Sequence, residues 1–289
     1  VMLAVYKREL RSYFNSMIGY VFIAVVVAII GIYFMANNLV GGYPRFSNTL
    51  GSVTFILLVA IPILTMKSLS DELRFKTDQM LLTYPISVTK IVLGKYLAMV
   101  TVFAIPILLA ALCPIIIALN GTSYLGTDYA TILAFFFLGC LFIAIGMFVS
   151  SLTESQIIAA VSTFGLLLIL FLWPQLISYL PTSAWGTVVG LVMILTILVF
   201  LLYSMTKNKL LAILVEAVGI VAIFGSYLLT EDSFVRLLPR VLGSLSCTKV
   251  LENFATYHVF DLAGLFFYIS CTALFVYLTV QAVQRRRWN

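Results

Sequence analysis

Long apolar runs alternate with short polar segments along this chain. A run of about 20 apolar residues crosses the ~30 Å hydrocarbon core of a bilayer as an α-helix. The eight runs that reach roughly this length are 17–37, 48–66, 96–119, 129–150, 156–177, 185–205, 210–229 and 262–283. None of them alternates polar and apolar residues as a membrane β-strand does. The pattern predicts an all-α membrane protein, a polytopic helical bundle of about eight transmembrane helices.

The composition agrees with this fold class. The chain is 63% hydrophobic and only 10% charged, whereas soluble globular proteins are about 25% charged. Inside lipid, backbone groups must bond within their own segment, and helices satisfy that requirement. No stretch outside the runs is long enough for a second, soluble domain, so we expect residues 1–289 to form a single transmembrane domain.

Lysine and arginine residues are divided unevenly between the two sides that eight spans define. With the N-terminus inside, the residues that fall outside are Arg45, Arg236, Arg240 and Lys249, which leaves 13 of the 17 bases inside. Inside loops carry the excess of Lys and Arg, so we expect both termini in the cytoplasm of a bacterial cell. The bases lie in separate loops rather than on one face, and the net charge of +6 therefore gives no nucleic-acid signal.

Residues 1–16 precede the first run and combine apolar and basic side chains at helical spacing. The apolar members are Leu3, Tyr6, Leu10, Tyr13 and Phe14, and the basic members are Lys7, Arg8 and Arg11. This pattern predicts a helix that lies on the inner membrane surface; a plain polar tail is the alternative. The run that follows is too long for a secretory signal and is expected to be a first anchor.

A second amphipathic stretch, residues 230–261, is the longest piece on the outer side. Its apolar positions are Phe234, Leu237, Leu238, Val241, Leu242 and Leu245. We expect one or two amphipathic helices at the outer surface in this segment.

The most polar segment of the chain is the inner loop 67–95. Ser68 or Ser70 is expected to cap a helix whose first turn holds Asp71 and Glu72, because carboxylates are favoured near a helix N-terminus. Pro85 would end this helix, which spans 70–84 and lies parallel to the membrane. A helix that is connected to a membrane-spanning helix at each end transmits its movement to both spanning helices. The alternative is an ordinary solvated loop.

The order of residues in this loop resembles the ABC transporter type 2 permeases, the export-type membrane subunits. The residues that carry the resemblance are Glu72, Arg74, Thr77, Asp78, Leu81, Leu82, Pro85, Ile86, Ser87, Val92, Leu93, Gly94 and Lys95. Lys76 departs from the pattern, since a glycine is common there. Residues 251–288 are similar to the last span of the gliding-motility-associated branch of the family, with its aspartate, its tyrosine and its closing Arg-Arg.

The resemblance implies a transmembrane permease domain whose loop 67–95 carries a coupling helix that docks on a separate ATPase. The residues it assigns to this contact are Asp71, Glu72, Arg74, Thr77, Asp78, Leu81 and Leu82. It also implies two ATPase copies, a second permease copy or a homologous permease, an auxiliary membrane subunit of the gliding-motility-associated type, and contact with membrane lipids. The chain contains no phosphate-loop motif of the GxxxxGK[ST] type, so ATP and Mg are expected on the partner and no cofactor on this chain.

Glu216 is an acidic residue inside the seventh run, about 10 Å past Lys209, which directly precedes that run. A carboxylate at that depth is costly and faces a cavity or a partner, or is protonated. One interpretation places Glu216 on a translocation path. The other pairs it with a neighbouring helix or lets it reach the cytoplasmic surface.

The sequence gives little support for a metal site, a disulfide or an enzyme active site. The single histidine, His258, has no neighbouring Cys or His for a metal, and packing beside Tyr257 and Phe260 is expected. The four cysteines have no metal or disulfide spacing. No paired intramembrane acids or GxSxG element indicates an enzyme. The alternative to an exporter subunit is an ATP-independent membrane protein, either a secondary transporter or an immunity-type resistance protein.

Overall fold

A computed structural model describes residues 2–75, 87–207, 209–229 and 234–288. Within these ranges the regular structure is helical and contains no β-strand. The α-helices are α1 (Met2–Asn15), α2 (Met17–Phe34), α3 (Phe46–Val53), α4 (Ile56–Thr65), α5 (Ser70–Arg74), α6 (Val88–Ala110), α7 (Cys113–Asn120), α8 (Leu125–Ser150), α9 (Gln156–Ser178), α10 (Ala184–Thr206), α11 (Lys209–Leu229), α12 (Leu237–Ser244), α13 (Cys247–Ala255) and α14 (Leu262–Trp288). A π-helical segment, Met35–Val40, extends α2. The all-helical prediction is confirmed for the described residues.

Five helices among the described residues are long and apolar enough to cross a membrane. They are Met17–Val40, Val88–Asn120, Leu125–Ser150, Gln156–Ser178 and Leu262–Arg285. The pair α3 and α4 adds a sixth if its two parts, bent by 59°, form one span. Shorter apolar helices cover Ala184–Phe200 and Ile213–Tyr227. The chain is thus a multi-pass membrane protein, and the count of eight spans stays a prediction.

The chain forms two compact units. One comprises Val1–Phe171 and Cys247–Asn289, and the other comprises Leu172–Ser246. Helix α8 is the centre of the first unit, where it packs against α4, α6, α13 and α14. Gly146 permits the contact with α4, because a Cβ at this position would lie 2.4 Å from the Thr65 hydroxyl oxygen. Small residues of this kind allow two membrane helices to approach closely.

The second unit contains the antiparallel pair α10 and α11 and the short helix α12. Its small core consists of Val188, Tyr227 and Phe234, with the Trp185 ring 5.1 Å from that of Tyr227. The indole of Trp173 donates a hydrogen bond to the Leu242 carbonyl at 2.9 Å, which fixes the end of α12 to α9 inside this unit.

Two predicted surface segments are helical where they are described. Residues Met2–Asn15 form the continuous helix α1, and α12 and α13 lie within 230–261. The placement of these segments at the inner and outer membrane surfaces stays a prediction. Cys247 begins α13 and is buried.

Candidate functional site

The first helix of the loop 67–95, α5, is capped by a side chain from a different helix. Neither Ser68 nor Ser70 supplies the cap, and Leu69 occupies the N-cap position without a side-chain bond of its own. The buried Ser150 hydroxyl, at the end of α8, accepts from the backbone N–H of Leu69 and of Ser70, at 3.2 Å each. It also donates to the Met66 carbonyl at 3.3 Å. The start of α5 is therefore bonded directly to the central helix of its unit.

Lys95 is a buried cation at the centre of this region. Its side chain is only 3% exposed. The ammonium nitrogen lies 2.8 Å from the Ser68 carbonyl oxygen, 3.1 Å from Glu9 Oε1 and 3.0 Å from Glu72 Oε1. An ammonium group has three protons to donate, and these three acceptors satisfy all of them. Lys95 thus links α6 to both α1 and α5.

Arg8 extends this charged group toward the surface. Its guanidinium lies 2.9 Å from Glu9 Oε1 and 3.3 Å from Glu72 Oε1. Two cations and two anions consequently share one cluster, which we call the Lys95 cluster: Arg8, Glu9, Glu72 and Lys95. Charges at low exposure persist in proteins when they are paired in this way.

Helix α1 lies tightly against α6 at the Lys95 cluster. Gly94 makes room for it, since a Cβ there would lie 3.1 Å from the Met2 carbonyl oxygen. Tyr6 and Thr101 are joined through their hydroxyl groups at 3.1 Å. Further along α1, the Tyr13 hydroxyl donates to the Leu64 carbonyl at 3.1 Å. Burial, and then the Glu9 charge, raise the pKa of Tyr13, so Tyr13 remains a donor.

The remaining described residues of α5 divide into an inward and an outward group. Asp71 accepts a hydrogen bond from the Gln156 side-chain amide at the start of α9. Arg74 is exposed, and Phe75, directly after α5, is 68% exposed. The Arg74 guanidinium lies 5.8 Å from the centre of the Phe75 ring. Arg74 and Phe75 therefore form a cationic and aromatic surface at the end of α5.

The other predicted contact residues of the loop are Thr77, Asp78, Leu81 and Leu82, and all four lie outside the described residues. The predicted helix 70–84 ends at Arg74 in the structure, where Phe75 is in a turn, and residues 76–84 lie outside the described residues. Among the described loop residues, the structure brings Asp71 and Glu72 to neighbouring helices and leaves Arg74 outward.

Glu216 lies on α11 in the second unit and is half-buried. The Thr196 hydroxyl of α10 donates a hydrogen bond to its Oε1 at 3.3 Å. Close packing accompanies this contact, because a Cβ at Gly219 would lie 2.5 Å from a Leu195 methyl carbon. Of the two interpretations of Glu216, the one that pairs it with a neighbouring helix has a partner in the structure.

A second polar cluster lies at the other end of α8, about 33 Å along the helix axis from Ser150. Asp128 is fully buried and accepts from the Ser47 backbone N–H at 2.9 Å. Arg45 lies 4.5 Å from the centre of the Tyr124 ring and contacts His258 Nε2. Because arginine only donates, Nε2 accepts and the His258 proton lies on Nδ1. His258 therefore joins loops of the first unit, rather than only packing beside its aromatic neighbours.

Sequence reasoning did not assign a role to Glu9, Lys95, Ser150 or Asp128. A signal for Lys95 existed, since it precedes the third predicted span by one residue and a cation there needs a partner. Glu9 is the one acid among the bases of residues 1–16. Nothing in the local sequence of Ser150 indicates that it caps a helix 80 residues away.

The model of a known family covers most of this chain. It is the ABC-2 family transporter protein model, which matches residues 3–186. The chain belongs to the ABC-2 transporter family. The match includes every residue of the Lys95 cluster, whereas Glu216 and the C-terminal helices α11–α14 lie beyond it. No curated protein matches the chain.

Membership of the ABC-2 family identifies the chain as a membrane permease subunit of an ABC transporter. Subunits of this family are transport components rather than catalysts, and they generally work with an ABC ATPase.

Proposed function

We propose that this chain is the permease subunit of an ATP-driven exporter in the bacterial cytoplasmic membrane. Both termini face the cytoplasm, and the loop 67–95 contacts a separate ATPase. Two permease chains, alike or homologous, enclose the path, and two ATPase chains bind ATP and Mg below them. The gliding-motility-associated branch, with its auxiliary membrane subunit, is the subfamily that residues 251–288 resemble.

The single observation that supports this proposal is the contact of Lys95 with Glu72. Glu72 belongs to the loop, Glu9 belongs to α1, and Lys95 itself belongs to α6. A displacement of α5 by a docked ATPase is thus opposed by charge pairs at low exposure, which are costly to break. The displacement of α5 therefore moves α1 and α6 as well, because the charge pairs connect α5 to both helices.

The attachments of α5 define which helices follow its motion. The chain connects α5 to α4 through only a few residues, and Ser150 bonds its first turn to α8. When the ATPases close on ATP, they shift α5, and α4 and α6 tilt with it to open or close the path. This is gating by rigid elements that are joined to a moving partner.

The proposed contact surface is Arg74 and Phe75, continued by Thr77, Asp78, Leu81 and Leu82. Aromatic and arginine side chains dominate binding energy at protein interfaces, and Phe75 is the described aromatic at the end of α5. Glu72 acts differently from these residues, since it positions the helix through Lys95. Asp71 positions it through Gln156.

Co-purification tests the proposal. The chain is expressed in its native cell, purified in mild detergent and probed for an ABC ATPase that accompanies it. Arg74→Glu, Phe75→Asp and Leu81→Asp each place an unfavourable charge in the contact, so the ATPase is expected to be lost while the permease remains folded. Arg240→Glu, an exposed position in α12, is the matched control. A wild-type chain that never retains an ATPase contradicts the proposal.

A further inference from the structure

A groove of about 740 Å³ runs beside α1 at the junction with α2. It is lined by Lys7, Arg8, Arg11, Ser12, Asn15 and Ser16. Three of these residues are cations, three are uncharged hydrogen-bonding residues, and none is an acid. Such a lining complements a compact anion that carries several acceptor oxygens.

The cations of the groove differ in what else they contact. Lys7 and Arg11 are exposed. Arg8 lies between the groove and the Lys95 cluster, where it pairs with Glu9 and Glu72. An anion in the groove would therefore interact with the same guanidinium that contacts Glu72.

An exposed apolar face of α2 continues from the groove. Met17 is 83% exposed, Tyr20 is 60% exposed and Val21 is 52% exposed. These positions share one side of the helix, since they lie three and four residues apart. The edge-to-face contact of Phe14 with Tyr20, at 5.6 Å between ring centres, joins the apolar side of α1 to this face. The anion-binding groove thus continues directly into an apolar surface that suits acyl chains.

We infer that the groove binds the phosphate headgroup of an anionic phospholipid of the inner leaflet, with the acyl chains along Met17, Tyr20 and Val21. This assignment rests on the proposed function only for the orientation that places α1 at the inner membrane surface. The phosphate oxygens accept from Lys7 and Arg11, and a glycerol headgroup meets Ser12 and Asn15. A choline headgroup is disfavoured, because its own cation faces three cations.

Headgroup binding has a consequence for the Lys95 cluster. A phosphate beside Arg8 holds that side chain at the groove and retains α1 in the position from which Glu9 and Arg8 contact α5 and α6. The lipid thereby stabilises the arrangement that we propose transmits ATPase motion. Removal of the lipid is expected to loosen α1 first.

Native mass spectrometry of the purified full-length chain tests this inference, with phosphatidylglycerol and phosphatidylcholine as the two probes. Each cation near an anionic lipid contributes about fivefold to binding, so Lys7→Gln/Arg11→Gln is expected to weaken phosphatidylglycerol binding by about 25-fold. The control is Lys90→Gln/Arg285→Gln, which removes two exposed cations on the same predicted side of the membrane. The swap Lys7→Arg/Arg11→Lys keeps the charges, and it is expected to bind normally.

Three results would overturn the lipid assignment. The first is an equal loss of phosphatidylglycerol in the control, which would indicate net charge rather than the groove. The second is equal binding of phosphatidylcholine, and the third is full displacement of the lipid by soluble glycerol phosphate, which would indicate a free-anion site. None of these measurements involves the ATPase. A chain that binds phosphatidylglycerol but no ATPase contradicts the proposed function alone, and the reverse result contradicts the lipid site alone.

Discussion

The Lys95 ammonium nitrogen lies 3.0 Å from Glu72 Oε1, and this contact joins the third candidate span to the first helix of the inner loop. The same nitrogen bonds Glu9 of α1. One buried cation consequently holds together an N-terminal helix, a loop helix and a span that are distant in sequence.

Removal of Lys95 is expected to destabilise the chain. Lys95→Met leaves Glu9 and Glu72 with only the half-exposed Arg8 as a cation, and removing the buried partner of such a pair costs about 3–5 kcal/mol. The matched control is Lys90→Met, an exposed lysine in the first turn of the same helix. Thermal unfolding in detergent measures both, and a clearly lower midpoint is expected for Lys95→Met alone.

A double-mutant cycle separates this pair from a general effect of the Lys95 substitution. Glu72→Gln combined with Lys95→Met is expected to cost less than the sum of the two single changes, because the second change relieves the unpaired charge. Strict additivity would show that the contact contributes nothing to stability. It would also remove the support for transmission through the Lys95 cluster.

The Ser150 hydroxyl is expected to protect the backbone amides at the start of α5 from hydrogen exchange. Ser150→Ala leaves the Leu69 and Ser70 N–H groups without their acceptor, and the loss of an N-cap costs about 1 kcal/mol. Hydrogen–deuterium exchange should therefore be about fivefold faster in the peptide that contains these two amides. Ser151→Ala is the control, since the Ser151 hydroxyl bonds only within the turn that ends α8, at the Phe148 carbonyl. Equal exchange in the two variants would contradict the cap.

Glu216 is expected to act on transport rather than on folding, if it lines a path. Glu216→Gln keeps an acceptor for the Thr196 hydroxyl, so the unfolding midpoint should remain near that of the wild type while a deletion strain is poorly complemented. Thr196→Val removes the hydroxyl and retains the carboxylate. If Glu216 serves only as a helix partner, Thr196→Val should lower the midpoint. The ability of both variants to complement the deletion strain should then follow the amount of protein produced.

Topology follows from cysteine labelling with a membrane-impermeant maleimide. Arg240→Cys should be labelled from outside intact cells, whereas Lys76→Cys and Asn208→Cys should be labelled only after the membrane is opened. The native Cys247 should give little background, because burial raises the pKa of its thiol to about 12. Outside labelling at position 208 would contradict the eight-span arrangement.

Sequence patterns predicted the helices of this chain well, because membrane spans are specified locally by apolar length. Each predicted run coincides with a helix or a helix pair, and the helical spacing of Leu3, Tyr6 and Leu10 indicated α1. The cap of α5 was assigned incorrectly to Ser68 or Ser70. The hydroxyl that does cap it, Ser150, comes from a helix that only the folded chain brings near.

The candidate site was predictable in part. The loop was identified from its charge, and Glu72 and Arg74 were both expected to face the ATPase. In the structure Glu72 points to Lys95, and Arg74 is exposed. The sequence alone does not tell which of the two residues packs inward and which faces the ATPase, because either charge can lie on either side of a short helix. The partner that decides is Lys95, and its position depends on how α6 packs against α1.

Site-specific photocrosslinking tests the central claim most directly. A photoreactive phenylalanine analogue replaces Phe75, the exposed aromatic at the end of α5, and separately replaces Tyr257, which is 66% exposed at the opposite end of the first unit. The complex with its ATPase is irradiated in native membranes. The account predicts a crosslink from position 75 to the ATPase and none from position 257. An ATPase crosslink from position 257, or none from position 75 in a complex that co-purifies, would contradict it.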